Sequence, residues 1–276
     1  MNLHPYRGIT ASFATKHEKQ IFVAPYFAAL EISLTVPDID TDVLGTFSGE
    51  VARQGTPKEV ALKKARMGME AAGLQHGIAS EGSIGPDPII PFMNSDIEWM
   101  AWVDAECGIE LVEFRRSLNI VAAQAVLEGS EDIEAFLKRA DFPNHGLIVR
   151  AEKGDEIFKG IRDRNALEAA MNALSASKKI IVESDLRSHQ SPSRQKNIAA
   201  VAEKLVSRLS TLCHQCQSPG WGEVGNIYGL ECSECRNFMD RAVRGKVLGC
   251  TTCDYREELL SERKFVEPAE CEICNP

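Results

Sequence analysis

The chain has no apolar run near the ~18 residues that a membrane-spanning helix needs. Its opening, MNLHPYRGIT, also lacks the basic-then-apolar layout of a secretory leader. These absences predict a cytoplasmic protein with no membrane contact. Positive charge is in deficit as well: 31 Lys and Arg stand against 40 Asp and Glu, a formal charge of −9. That balance argues against a binder of nucleic-acid backbones, whose affinity rests on Lys and Arg. There is no internal repeat or low-complexity tract, and the first 212 residues contain a single cysteine, Cys107. What is present, 276 residues of which 44% are apolar and 26% charged, can bury a sizeable core and excludes wholesale disorder.

The other eight cysteines all follow residue 212, as four Cys-x-x-Cys pairs: Cys213/Cys216, Cys232/Cys235, Cys250/Cys253 and Cys271/Cys274. In a reducing compartment such clustered thiols are metal ligands rather than disulfides. A two-residue gap lets a tight turn aim both sulfurs at one ion about 2.3 Å away, so four pairs predict two tetrahedral Cys₄ sites with structural Zn²⁺. Two pairings are open: neighbouring pairs in sequence, across 15 and 17 residues, or Cys232/Cys235 with Cys250/Cys253 across 14. The tail, 213–276, carries seven Lys and Arg and eleven Asp and Glu, and reaches about −8 once metallated. It therefore reads as a zinc-ribbon module that is structural or contacts a protein partner, its metal supplying folding energy that ~64 residues hardly collect from burial.

Residues 1–212 read as an α/β domain, a mixed sheet with flanking helices. Strands are expected at 8–14, 31–36, 77–80, 98–104, 109–117, 145–151 and 179–183. Helices are expected at 18–30, near 130–139 from Ser130, over 163–176, and from the Ser191-Pro192 cap to about Leu212. The best-marked helix has Thr56 as its cap, Pro57 in its first turn, Glu59 completing a capping box and Gly73 at its end. Its cations Lys63, Lys64 and Arg66 are expected on a solvated face. Residues 81–88, EGSIGPDP, are expected to form a loop. Trp99 and Trp102 suit core and cross-strand positions, and Cys107 a hairpin bend.

Four polar clusters fall where loops leave strands, the places where α/β proteins bind ligands. They are Thr15 to Lys19; Asp38, Asp40, Asp42 and Glu50 with Thr46 and Ser48; Ser80 to Ser83; and Glu183 to Arg194. Carboxylates for Mg²⁺, with Lys and Arg for phosphate, are what phosphate-ester chemistry uses.

Taken whole, DTDVLGTFSGE at 40–50, ASEGSIGPDP at 79–88, ESDLRSHQSPSR at 183–194 and the closing CEICNP resemble an uncharacterised bacterial domain-of-unknown-function family. The motif order of residues 1–200 also resembles the inosine/xanthosine triphosphate pyrophosphatase family. Thr15, His17 and Lys19 are similar to its phosphate loop, Gly45-Thr46-Phe47 with Glu50 to its second motif, and Lys64-Ala65 to its third. Glu81 takes the place of its metal-binding acid, and Ser188-His189 with Arg194 that of its base-holding segment. The resemblance implies an inosine-triphosphatase-like fold and a hydrolase of nucleoside triphosphates or related phosphoanhydrides. In it Glu50 and Glu81 hold Mg²⁺ or Mn²⁺, the acidic loop at Asp40 and Asp42 binds a second ion or acts as base, and Lys19, Lys64 and Arg194 stabilise developing charge. Thr15, His17, Lys19, Ser80, Ser83, Arg187, His189 and Arg194 then bind the nucleotide. The alternative is a non-catalytic nucleotide sensor or adaptor whose zinc module docks a protein.

Overall fold

The computed structural model describes residues 4–16, 18–45, 54–128 and 133–276. His17, Thr46, Phe47, Ser48 and Glu50, and the Ser130 cap with its acidic first turn, lie outside the described residues. The chain divides into two compact units, one of residues 6–205 and one of residues 206–276 joined by His4 and Pro5. The division falls inside the last helix.

The larger unit is built on two sheets instead of one. The first has the order β2 (Ser33–Thr35), β1 (Thr10–Ala14), β3 (His76–Pro86), β4 (Asn94–Asp104), β5 (Ile109–Ser117). Its β2, β1 and β3 run parallel, while β3, β4 and β5 form an antiparallel meander. Helices α1 (Gln20–Ala28) and α2 (Pro57–Ala72) supply the crossovers between the parallel strands. The start of α2 follows from its sequence: Thr56 accepts from the Glu59 N–H, the Glu59 side chain returns to the Thr56 N–H, and Gly73 closes the helix in the left-handed region. One face of the sheet packs on α2 through Ala14, Ala65, Met69, Ala79 and Val103. The approach is close enough that a Cβ at Gly77 would fall 2.4 Å from the Met69 side chain. On the other face Trp102, fully buried, stacks near Phe27 of α1, and Asn197 of α5 (Pro192–Ser210) donates to the Asp96 carbonyl at 3.0 Å. Trp99 stacks on its cross-strand neighbour Phe114 at 4.7 Å.

The second sheet is antiparallel, in the order β6 (Gln124–Leu127), β9 (Ile180–Ser184), β7 (Leu147–Ala151), β8 (Ile157–Ile161). One face is closed by α3 (Glu134–Arg139) and α4 (Arg164–Ala173) over a core that includes Phe136, Leu147, Val149, Leu167 and Val182. Strands β6 and β8 are additions to the sequence-based expectation.

A larger correction concerns residues 81–88. Instead of a loop, β3 continues to Pro86 and pairs with β4 at every residue. Its glycines and proline are tolerated because β1 stops opposite Ala79, so from Ser80 onward that side of β3 carries no ladder among the described residues. In the smaller unit β12 (Arg256–Leu260), β11 (Phe238–Gly249), β10 (Gly222–Cys232) and β13 (Phe265–Val266) form one sheet, dominated by the long β10–β11 hairpin.

Candidate functional site

Where β1 ends and β3 runs on, a gap opens at the carboxyl end of the parallel strands. Alternate residues of a strand point to opposite faces, yet Ser80 and Glu81 both border this gap because no strand among the described residues separates the two faces there. The result is a cavity of about 50 Å³ lined by Thr15, Lys16, Lys19, Thr41, Asp42, Gly45, Lys64, Ser80, Glu81, Gly82 and Arg194. Four cations thus meet two carboxylates. Thr15, Lys19, Asp42, Lys64, Ser80, Glu81 and Arg194, marked in the sequence as one site, are brought together.

Lys64 leaves the solvated face expected for it and is buried, donating to Glu81 Oε2 at 2.7 Å. Glu81 lies inside a strand and is only 8% exposed, so it is no strand-end acid. Arg194, 2% exposed, crosses β3 over Gly82, giving Nε to Glu98 at 2.5 Å and Nη1 to the Leu186 carbonyl at 2.8 Å. Lys16 joins Asp40 and Asp42 at 2.6 and 2.7 Å, and Asp40 also caps the turn at Thr41–Leu44. Lys19 differs from these cations. It is 9% exposed, and its ammonium donates to Ser80 Oγ at 3.0 Å, with no carboxylate at ion-pair distance among the described residues. Burial, reinforced by the nearby Arg194 charge, pushes its pKa down to about 8. Desolvated positive charge without a contacting counter-ion is costly, and an anionic ligand would relieve it.

Sequence reasoning missed Asp96 and Glu98, both fully buried beside Arg194. Burial and the adjacent Glu98 charge drive the Asp96 carboxyl upward. Neither Asp96 oxygen, nor Glu98 Oε2, meets a donor at hydrogen-bonding geometry among the described residues. The signal was available: at every second position of β4 the two acids share a face with Met100 and Trp102.

Other expected residues lie elsewhere. Arg187 makes a forked ion pair with the buried Asp185 on the wall of a second cavity, of about 500 Å³, over the open face of the β6–β9–β7–β8 sheet. His189 lies near Arg187, Asp185 and Glu18, with its pKa lowered by burial and the Arg187 charge. Ser83 borders neither cavity. Cys107 sits in the β4–β5 bend, its pKa raised by burial and by Asp104, and is no activated thiol. A Ser193–His145–Asp141 chain, with bonds of 3.0 and 2.9 Å, has the outline of a nucleophile relay. However, His145 Nε2 also accepts the Ser193 N–H, so the imidazole caps α5 and is not poised as a base.

In the smaller unit the eight knuckle cysteines form two clusters able to hold metal ions: Cys213, Cys216, Cys250 and Cys253, and Cys232, Cys235, Cys271 and Cys274. Neither pairing expected from the sequence occurs; the knuckles interleave, first with third and second with fourth. Sulfur separations such as Cys213–Cys253 at 3.8 Å, Cys216–Cys250 at 3.5 Å and Cys235–Cys271 at 3.6 Å match the about 3.8 Å edge of a tetrahedron with metal–sulfur bonds of about 2.3 Å. Gln217 and Arg236, just past their knuckles, take positive φ, which turns the N–H groups of Gln217 and Arg236 back to the Cys213 and Cys232 carbonyls. No described helix is long and apolar enough to cross a membrane.

These features define a two-sheet α/β unit with a cationic cavity, followed by a β-ribbon unit with two Cys₄ clusters. The chain matches the family described as a domain of unknown function, DUF6671, over residues 64–276, and belongs to it. The matched span includes Lys64, Ser80, Glu81, Arg194 and all eight knuckle cysteines, and starts after the Thr15–Lys19 loop. No curated protein and no solved structure matches the chain.

Proposed function

We propose that the cavity between β1 and β3 binds phosphoryl groups of a small molecule, and that the protein hydrolyses a phosphoanhydride there, a nucleoside triphosphate being the expected substrate. The observation that carries this reading is the buried Lys19 ammonium, bonded among the described residues to the Ser80 hydroxyl and flanked by Lys64 and Arg194. Three buried cations in one small space would neutralise charge building up on phosphoryl oxygens, and do so most effectively where water is excluded. On this reading Glu81, which lines the cavity, takes a proton from attacking water.

A divalent ion finds no prepared ligand set among the described residues, since Glu81 is held by Lys64 and Asp42 by Lys16. Any Mg²⁺ or Mn²⁺ would arrive on the phosphate chain of the ligand, and no step is assigned to it. The same pairing favours a second reading, a nucleotide sensor or adaptor without turnover. A panel of nucleotides and inorganic phosphoanhydrides, with and without Mg²⁺ or Mn²⁺ and with phosphate and pyrophosphate read separately, tests both. Release of either product supports hydrolysis; binding without release selects the sensor; neither binding nor release removes both.

For the smaller unit the reading is two structural Zn²⁺ ions. Four thiolates at tetrahedral spacing suit zinc and leave no open position for a reacting water, so this unit is not the catalytic one. Exposed Phe238, Leu259, Leu260 and Ile273 fit a role in contacting a protein partner.

A further inference from the structure

The two cavities of the larger unit differ tenfold in size, about 50 Å³ against about 500 Å³. The small one has room for three to five water-sized groups at roughly 10–15 Å³ each. That is space for one phosphoryl group. The large one lies in the ~300–1,000 Å³ range of small-molecule sites. The two share a wall: Leu186 lines the large cavity, and its carbonyl accepts from Arg194, which lines the small one. His189 lies within electrostatic reach of both Glu18, on the loop beside Lys19, and Arg187, on the wall of the large cavity.

We propose that the two cavities are halves of one nucleotide site, the small one taking phosphoryl groups and the large one the nucleoside. This rests on the phosphoryl reading of the small cavity. The floor of the large cavity is apolar, with Ile148, Ile157 and Leu186, and a fixed polar set stands at its edge. Glu183 accepts from Arg150 at 3.1 Å and from Gln124 at 2.8 Å, and its carboxylate keeps further acceptor capacity. A planar heterocycle meets both demands, laying a face on the isoleucines and its N–H edge toward Glu183. An acyl chain would cover Arg150 and Glu183 without replacing their water.

Calorimetric titration of the full chain with inorganic tripolyphosphate, ATP, GTP, CTP and UTP separates the halves. At least one nucleoside triphosphate should bind about tenfold or more tighter than tripolyphosphate. Ile157→Trp, at a position 39% exposed that can accept a larger ring, should abolish that advantage and leave tripolyphosphate binding within about twofold. Circular dichroism of the variant checks that it remains folded. If tripolyphosphate and all four nucleotides bind equally, or if Ile157→Trp keeps the advantage, the large cavity has no part in the site and the inference is overturned while the phosphoryl reading stands. If none of the five binds, both fall.

Discussion

Arg194 occupies the space that a side chain at residue 82 would need: a Cβ on Gly82 would lie 2.5 Å from Arg194 Nη2 and 2.5 Å from Glu98 Oε1. The guanidinium reaches the cavity because it passes over a strand position without a side chain. Gly82→Ala should therefore displace the Arg194–Glu98 pair, lowering stability by about 1–3 kcal/mol through overpacking and weakening phosphate binding. Denaturant unfolding and tripolyphosphate titration measure the two effects. A variant with native stability and affinity would show that Arg194 has other room.

Glu81→Gln is expected to cost more than a surface change. Glu81 and Lys64 are each about 10% exposed and bonded at 2.7 Å, so removing one charge leaves the other buried. Breaking such a pair costs roughly 3 kcal/mol. Lys64→Met in the same chain should return part of this, which thermal unfolding of the single and double variants will reveal. If the protein is a hydrolase, turnover should fall by about 100-fold or more in Glu81→Gln.

Interleaving of the knuckles makes a stoichiometric prediction. Metal analysis should find two zinc ions per chain. Replacing Cys216 and Cys253 by Ser touches one cluster, and replacing Cys216 and Cys235 touches both. The first double variant should lose one ion and the second two. Pairing of neighbouring knuckles would reverse these numbers, and iron in place of zinc would end the zinc assignment.

Asp96 predicts a pH dependence. Its native carboxyl titrates above the usual range because of burial and the neighbouring Glu98 charge, so the folded state holds a proton that the unfolded state releases near pH 4. Stability from this group is full below that pH. It falls as pH rises toward and past neutrality, by up to about 1.4 kcal/mol per pH unit, until the native carboxyl itself ionises. Asp96→Asn should flatten this slope, gaining on the parent as pH rises from 5 to 8. Parallel melting curves for the two proteins would refute the raised Asp96 carboxyl.

Local signals were legible where neighbours in sequence carry the information. The Thr56–Glu59 capping box, the Gly73 stop and the β4–β5 bend at Cys107-Gly108 all rest on contacts within a few residues, and the structure has them as expected. Four knuckles were equally plain, since each is a single turn. Strand β3 was misread after Ser80 because glycine and proline usually end strands. Only the early stop of β1 shows why Gly82, Gly85 and Pro86 are acceptable there.

The sequence by itself determined an α/β body, eight metal-ready thiols in pairs, and the residue types gathered around the cavity. Tertiary structure alone decided which groups face one another. Cys216 meets Cys250 34 residues away, Lys19 meets Ser80 61 residues away, and Arg194 meets Glu98 96 residues away. Such partners are chosen by strand order, by where a strand stops and by how deeply a charge is buried. Those are properties of the packed chain, and no local pattern encodes them.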